Sequence, residues 1–122
     1  MAEITYRDAI RDALREEMQR DERVFIMGEE VGVWGGSYAV TQGLLREFGD
    51  KRIKDTPIAE GIIVGAGIGA AMGGLRPVCE LMTINFGLLA SDMIINHAAK
   101  LHYMFAGQIK VPLVVRAVGG SG

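Results

Sequence analysis

The segment Asp55-Thr56-Pro57-Ile58-Ala59-Glu60 ends in a carboxylate that leads straight into an uncharged, glycine-rich run from Gly61 to Leu75. Pro57 biases Thr56 toward an extended conformation and is tolerated only near a helix start. Glu60 is therefore expected in the first turn of the apolar element. Two effects compete there: the helix dipole lowers the pKa of a first-turn acid, and desolvation among Ile62, Ile63 and Val64 raises it. If burial dominates, Glu60 is a proton donor near neutral pH. The plainer alternative is an ordinary first-turn carboxylate, solvated or capping.

Other residues invite chemical readings with less support. Glu29 and Glu30 follow an apolar run and read as a solvated loop pair. Asn85 fits a strand-end turn and Phe86 ordinary core packing. His97 and His102 fall in a predicted helix with no cysteine or acid placed to complete a familiar zinc pattern, which leaves them structural or surface roles. Cys79 is the only cysteine, so the sequence has no internal disulfide; it reads as an inert core thiol suited to a reducing compartment. Met18, Met27, Met72, Met82, Met93 and Met104 read as core fillers.

The elements that must position these groups alternate in type. Thr5 with Asp8 looks like a capping box, and Ile10, Leu14 and Met18 then share one face of a helix to about Arg20. Val24-Phe25-Ile26-Met27 before Gly28 has the signature of a buried strand running into a loop. Gly35-Gly36-Ser37 gives way to Val40, Leu44, Leu45 and Phe48, a short helix capped near Ser37 and stopped at Gly49. The stretch from Asp50 to Thr56 reads as a polar connector. Val78 to Met82 is a second buried strand, Phe86 to Tyr103 a helix, and Val111 to Val118 a third strand. The expected fold is α/β, a parallel sheet flanked by helices. Ligands of such sheets bind outside the carboxyl ends of the strands, where Glu29, Asn85, Phe86 and the Gly119 to Gly122 tail should cluster.

Two readings compete for the glycine-rich segment. Ile62-Ile63-Val64-Gly65-Ala66-Gly67-Ile68-Gly69-Ala70 can pass for a strand entering a dinucleotide-binding fingerprint. A crossover needs a dozen or more residues, however, and Gly73-Gly74 and Pro77 interrupt the chain too soon; the acid due about 20 residues on is missing. The stronger reading is a helix with Gly61, Gly65, Gly69 and Gly73 along one face. Each glycine costs roughly 1 kcal/mol of helix stability relative to alanine, so the stripe needs close packing, best supplied at a subunit interface. The run falls below the roughly 20 residues of a membrane span.

Composition narrows the classes. The 122 residues are 49% hydrophobic and 23% charged with a formal net charge of -2, enough for one globular core. Basic residues are scattered among acids, without the stripe that nucleic-acid binding requires. The N-terminus lacks an apolar signal core, and the expected location is cytoplasmic, with no membrane partner.

Several ordered blocks together carry a resemblance that runs the length of the chain. They are Tyr6-Arg7-Asp8-Ala9-Ile10, Met27-Gly28-Glu29-Glu30-Val31, Gly49-Asp50-Lys51-Arg52-Ile53, Asp55 to Glu60, Gly74 to Glu80 and Met82-Thr83-Ile84-Asn85-Phe86. The sequence resembles the N-terminal portion of β subunits of the thiamine-diphosphate-dependent decarboxylating component of 2-oxo acid dehydrogenase complexes. The pyruvate type is closest, and the acetoin type is near. Glu60, Gly65 and Gly69 also match a thiamine-enzyme pattern of an acid followed by small residues at G-x-x-x-G spacing.

The resemblance implies a transketolase-like fold, with residues 1–122 forming the N-terminal part of a pyrimidine-binding domain. The rest of that domain and a C-terminal domain would lie beyond. It implies that Glu60 bonds a pyrimidine ring nitrogen of thiamine diphosphate and exchanges a proton there, and that Phe86 packs on the pyrimidine face. Glu29 would belong to an acidic proton path, and Asn85 would orient the cofactor or its loop. Magnesium would be held by an α subunit, since this chain lacks a Gly-Asp-Gly segment followed by paired asparagines. The implied assembly is an α2β2 heterotetramer, with the second β subunit met through the glycine-rich helix and a lipoyl acyltransferase as acceptor. Leu89 departs from the polar residue usual at its position. The alternative outside catalysis is a truncated assembly module that keeps the glycine interface without turnover.

Overall fold

The first helix begins where the capping box predicts. In the computed structural model, which describes residues 3–120, α1 spans Tyr6–Arg20 with Thr5 as its N-cap. The Thr5 hydroxyl accepts the Asp8 N–H at 3.1 Å and donates to the Asp8 carboxylate at 2.6 Å. Four parallel strands follow in the spatial order β2-β1-β3-β4: β1 Val24–Gly28, β2 Ile53–Asp55, β3 Arg76–Leu81 and β4 Val114–Ala117. Between them lie α2 (Leu44–Phe48), α3 (Glu60–Met72) and α4 (Ala99–Met104). The parallel α/β expectation is borne out.

Alternation along the strands divides the core between two faces. Phe25, Met27, Cys79 and Leu81 face α3, where Ile63, Val64 and Ile68 meet them. Val24, Ile26 and Val78 face the other way, onto Met18 of α1 and Leu44 of α2. Burial of each such side chain contributes about 1.5–3 kcal/mol. Arg52 closes the far end of the second layer. Its guanidinium donates to the carbonyls of Val24, Met18 and Asp21 at 2.6, 3.0 and 3.1 Å and lies 5.7 Å from the centre of the Phe48 ring.

Several boundaries differ from the sequence reading. The supposed connector before Thr56 contains strand β2, in which only Ile53 is buried; one apolar residue between charged neighbours leaves no period to detect. Ser37 does not cap a helix reaching Gly49. It opens a 3-10 turn over Ser37–Ala39, its hydroxyl donates to the Met82 carbonyl at 2.9 Å, and α2 starts only after left-handed Gly43.

The single helix expected from Phe86 to Tyr103 is broken into a 3-10 segment (Ile84–Ala90), a π-helical turn (Met93–Ala98) and α4. Its first residue is tied to the chain just past β4, with the Ile84 N–H on the Val118 carbonyl at 2.8 Å, so the chain is anchored before a helix can propagate. The last strand begins at Val114 rather than Val111. Pro112 offers no N–H to a ladder, and the Leu113 N–H turns back to Val111.

The glycine-rich run is helical throughout, from Glu60 to Met72, with no strand that would serve a dinucleotide fingerprint. Its glycines serve different neighbours. A Cβ on Gly61 would meet the Leu89 carbonyl at 3.3 Å, and one on Gly65 the Met93 sulfur at 3.3 Å, whereas one on Gly69 would meet nothing within 4 Å. The closest approach lies outside the stripe, at Gly67 against Cys79.

Candidate functional site

Because all four strands are parallel, their carboxyl ends form one edge. There β1 delivers Glu29 and β3 delivers the turn that carries Asn85 and Phe86. The chain after β4 joins them, with the Thr83 hydroxyl 3.5 Å from the Val118 carbonyl as its donor. Gly119 lines the groove beside α1 with Thr5 and Tyr6, and residues 121 and 122 lie outside the described part. The Thr56 N–H donates to the Gly28 carbonyl at 3.0 Å, which carries the end of β2 to the same edge as β1 and directs the chain into α3.

Besides Glu80 within β3, two carboxyl groups are withdrawn from water here. Glu29 is 5% exposed and Glu60, the first residue of α3, is 4% exposed. Glu29 Oε1 is buried without a hydrogen-bond partner. Desolvation pushes its pKa up, and the Glu60 carboxylate and then Glu30 push it further. The solvated loop pair read from the sequence is therefore split: Glu29 is buried while Glu30 is exposed, with φ of 52°. Burial and neighbouring carboxylates both disfavour the charged form of Glu29.

The Thr56 hydroxyl is a further buried oxygen without a partner at this edge. Sequence reasoning passed over it; the only signal was the extended conformation imposed by Pro57. Phe86 is 41% exposed, in the 3-10 segment that packs on the first turns of α3, and Asn85 is exposed beside it. Both face away from full burial, so neither is a core residue. His97 and His102 are exposed and bonded within their own segment: His97 to the Asp92 carbonyl, His102 to the Ile109 carbonyl. Cys79 is buried, its thiol pushed up to about 12 by desolvation.

A shallow depression lined by Glu29, Glu30, Trp34, Ser37, Tyr38 and Met82 opens beside the acids. A larger groove runs between α1 and β4, past Tyr6, Ile10, Val40 and Val115, but contains no carboxylate. The buried Glu29 and Glu60 lie instead at the strand ends. No group of three metal-ligating side chains is assembled among the described residues, and no helix there is long and apolar enough to cross a membrane.

A family profile described as "Transketolase, pyrimidine binding domain" matches residues 2–122. Among curated relatives, "Pyruvate dehydrogenase E1 component subunit beta" of Rickettsia bellii (strain RML369-C) is 55% identical over 98% of this chain and 37% of its own length. The protein of the same description from Rhizobium meliloti (strain 1021) is 55% identical over 99% of this chain and 26% of its own length. "Pyruvate dehydrogenase E1 component subunit beta-1, mitochondrial" of Arabidopsis thaliana is 54% identical over 98% of the chain and 33% of its own length. The chain thus spans roughly a third of the length of the relatives it matches.

Proposed function

The chain belongs to the transketolase pyrimidine-binding domain family, and from that membership we propose that it is the cofactor-activating segment of a pyruvate dehydrogenase component β subunit. The observation that carries the reading is the buried pair at the strand ends, Glu29 with an unpartnered oxygen beside Glu60 on the first turn of α3. Those donors fit thiamine diphosphate: an aminopyrimidine offers ring nitrogens to a buried carboxyl, and an exposed aromatic such as Phe86 offers a face to stack on it. When bound, thiamine diphosphate supplies an acidic thiazolium carbon and an electron sink for decarboxylation of a 2-oxo acid.

Glu60 holds a proton at a pyrimidine ring nitrogen and exchanges it. Glu29, pushed toward its protonated form by burial and by the Glu60 and Glu30 carboxylates, limits the negative charge beside Glu60. Phe86 and Asn85 fix the tilt of the ring from the 3-10 segment. In this reading residues 1–122 are the N-terminal part of the pyrimidine-binding domain. An α-type partner completes the heterotetramer and holds magnesium and diphosphate, and a lipoyl acyltransferase receives the acyl group.

The outer side of α3 and of the 3-10 segment packed on it supports a protein partner there. Ile62, Leu88 and Leu89 are 72%, 79% and 68% exposed, and an apolar helix surface of this kind is stable when covered. A second β subunit is the partner assigned to it. Leu89 suits such a cover better than a polar channel wall.

Glu60→Gln in the assembled enzyme tests the reading. Turnover with pyruvate is expected to fall by about 10²–10⁴-fold, the usual yield of a positioned acid or base, with subunit assembly intact and exchange of the thiazolium proton slowed. Normal exchange in an assembled mutant overturns the role of Glu60. Turnover with acetoin and not pyruvate by the parent enzyme replaces the substrate.

A further inference from the structure

Glu80 is a charged residue in the middle of a sheet, and its burial has no explanation in the packing alone. It lies on β3 opposite Gly28, the last residue of β1, and its side chain is 2% exposed. One oxygen accepts the Ser37 N–H at 2.7 Å. The other accepts from the Arg116 guanidinium of β4, itself mostly buried. Well-packed apolar residues stabilise an interior at least as well as an ion pair, so the pair is explained by what it holds.

What it holds is the loop from Glu29 to Thr41. That loop takes left-handed backbone at Glu30, Tyr38 and Ala39, conformations that persist only where surrounding bonds fix them. Its inner bonds run from the Gly36 N–H to the Glu30 carbonyl and from the Thr41 N–H to the Gly35 carbonyl, both at 2.8 Å. Gly32 N–H ties the loop to Asp55 at 2.6 Å, and Arg11 donates to the Ala39 and Val40 carbonyls at 3.0 and 3.1 Å; among the described residues its hydrogen bonds to β3 and the residue after it come from Ser37, by its N–H on Glu80 and its hydroxyl on Met82. Gly36 presses on the same carboxylate, where a Cβ would stand 2.5 Å from Glu80 Oε1. The first residue of the loop is Glu29.

We propose that Glu80 is a positioning residue: its carboxylate latches the Ser37 N–H to β3 and thereby sets the Glu29 carboxyl against Glu60. The inference rests on the proposed function, since it assigns a catalytic consequence to the latch. Arg116 supplies the countercharge that lets Glu80 stay in the core, and Ser37 N–H is the contact through which it acts.

Two paired replacements, made in the assembled enzyme, separate latch from charge. Glu80→Gln with Arg116→Met keeps an acceptor for the Ser37 N–H, whereas Glu80→Leu with Arg116→Met keeps an apolar pair and removes it. In the leucine protein, amide exchange of peptides from residues 29–41 is expected to rise at least about tenfold, while peptides of α1 and α3 stay protected. Its kcat should fall at least about tenfold with KM changed by less than about threefold. The glutamine protein should keep both loop protection and kcat within about threefold of the parent.

Undiminished loop protection in the leucine protein overturns the latch. Faster exchange with unchanged kcat overturns its catalytic consequence, as does an equal loss of kcat in both proteins. A parent without 2-oxo acid turnover defeats the functional reading instead, and the exchange measurement still decides the latch.

Discussion

A Cβ placed on Gly67 would stand 2.4 Å from Cys79 Sγ and 3.1 Å from Leu113 Cδ1. Helix α3 is thus drawn onto the sheet until the thiol fills the space of the missing methyl. The Cys79 thiol, kept neutral by burial, lies 3.5 Å from the Ile63 carbonyl. Gly67→Ala is expected to cost about 1–3 kcal/mol through overpacking, in spite of the roughly 1 kcal/mol that alanine adds to a helix. Cys79→Ala in the same chain should recover more than half of that loss. Urea midpoints of the parent, both single mutants and the double mutant measure the coupling; strictly additive effects would show that the two residues do not share this space.

The buried Glu29 predicts a sign for pH dependence. Its pKa is raised in the fold, first by desolvation and then by Glu60 and Glu30, so the folded state holds the proton more tightly than the unfolded state. Stability from this group is present below the unfolded carboxylate range and is lost as pH rises through the raised value. Glu29→Gln should therefore match the parent at about pH 4 and exceed it at neutral pH. Chemical denaturation across that interval checks it. A parent more stable than the mutant at neutral pH would mean that Glu29 is ionised and satisfied in the fold.

How much of this site could be read from the chain depends on the length of the signal. The α1 cap, the buried β1, the glycine helix and the position of Glu60 rest on patterns several residues long, and the parallel alternation follows from them. Strand β2 escaped because it has one buried residue, and the Ser37 turn because its partners, Glu80 and Met82, lie far along the sequence. Glu29 looked solvated for the same reason. Neighbours in sequence cannot report that α3 will fold back over the end of β1. The stripe of four glycines pointed to close packing, yet the residue that needs it most, Gly67, lies off the stripe, because the sheet rather than another helix is the nearest surface.

Gly69 separates the fold from its assembly. It is exposed, and a Cβ there meets nothing within 4 Å. Gly69→Ala should leave the subunit's own fold unharmed, or stabilise it by up to about 1 kcal/mol. If the stripe meets a second β subunit, the same methyl should weaken association by about tenfold or more. Analytical ultracentrifugation reads the second effect and a thermal melt the first. Unchanged association would remove Gly69 from the interface.

Arg52 is a structural staple whose role the Gly49–Ile53 block did not reveal. Three carbonyls at the joint between α1 and β1 accept from its guanidinium. Arg52→Lys keeps the charge but cannot reproduce the fork, and a loss of about 2–3 kcal/mol is expected, in the range for charge-assisted bonds left unmade. Hydrogen exchange at Val24 and Ile26 should report the loosening first. Full retention of stability in the lysine protein would show that charge alone suffices there.

The central ladder of the sheet joins Val24–Gly28 to Arg76–Glu80, with all of α2, β2 and α3 intervening in the sequence. During synthesis β1 therefore emerges long before its main neighbour exists. Until β3 leaves the ribosome, the apolar segment Val24 to Met27 has only the three residues of β2 to pair with. In that window the segment lacks the neighbour that buries it in the finished sheet, the condition under which long-range parallel pairing is slow and exposed to aggregation. The closing of that window is set by the arrival of Glu80, the residue that also fastens the loop beside the acids.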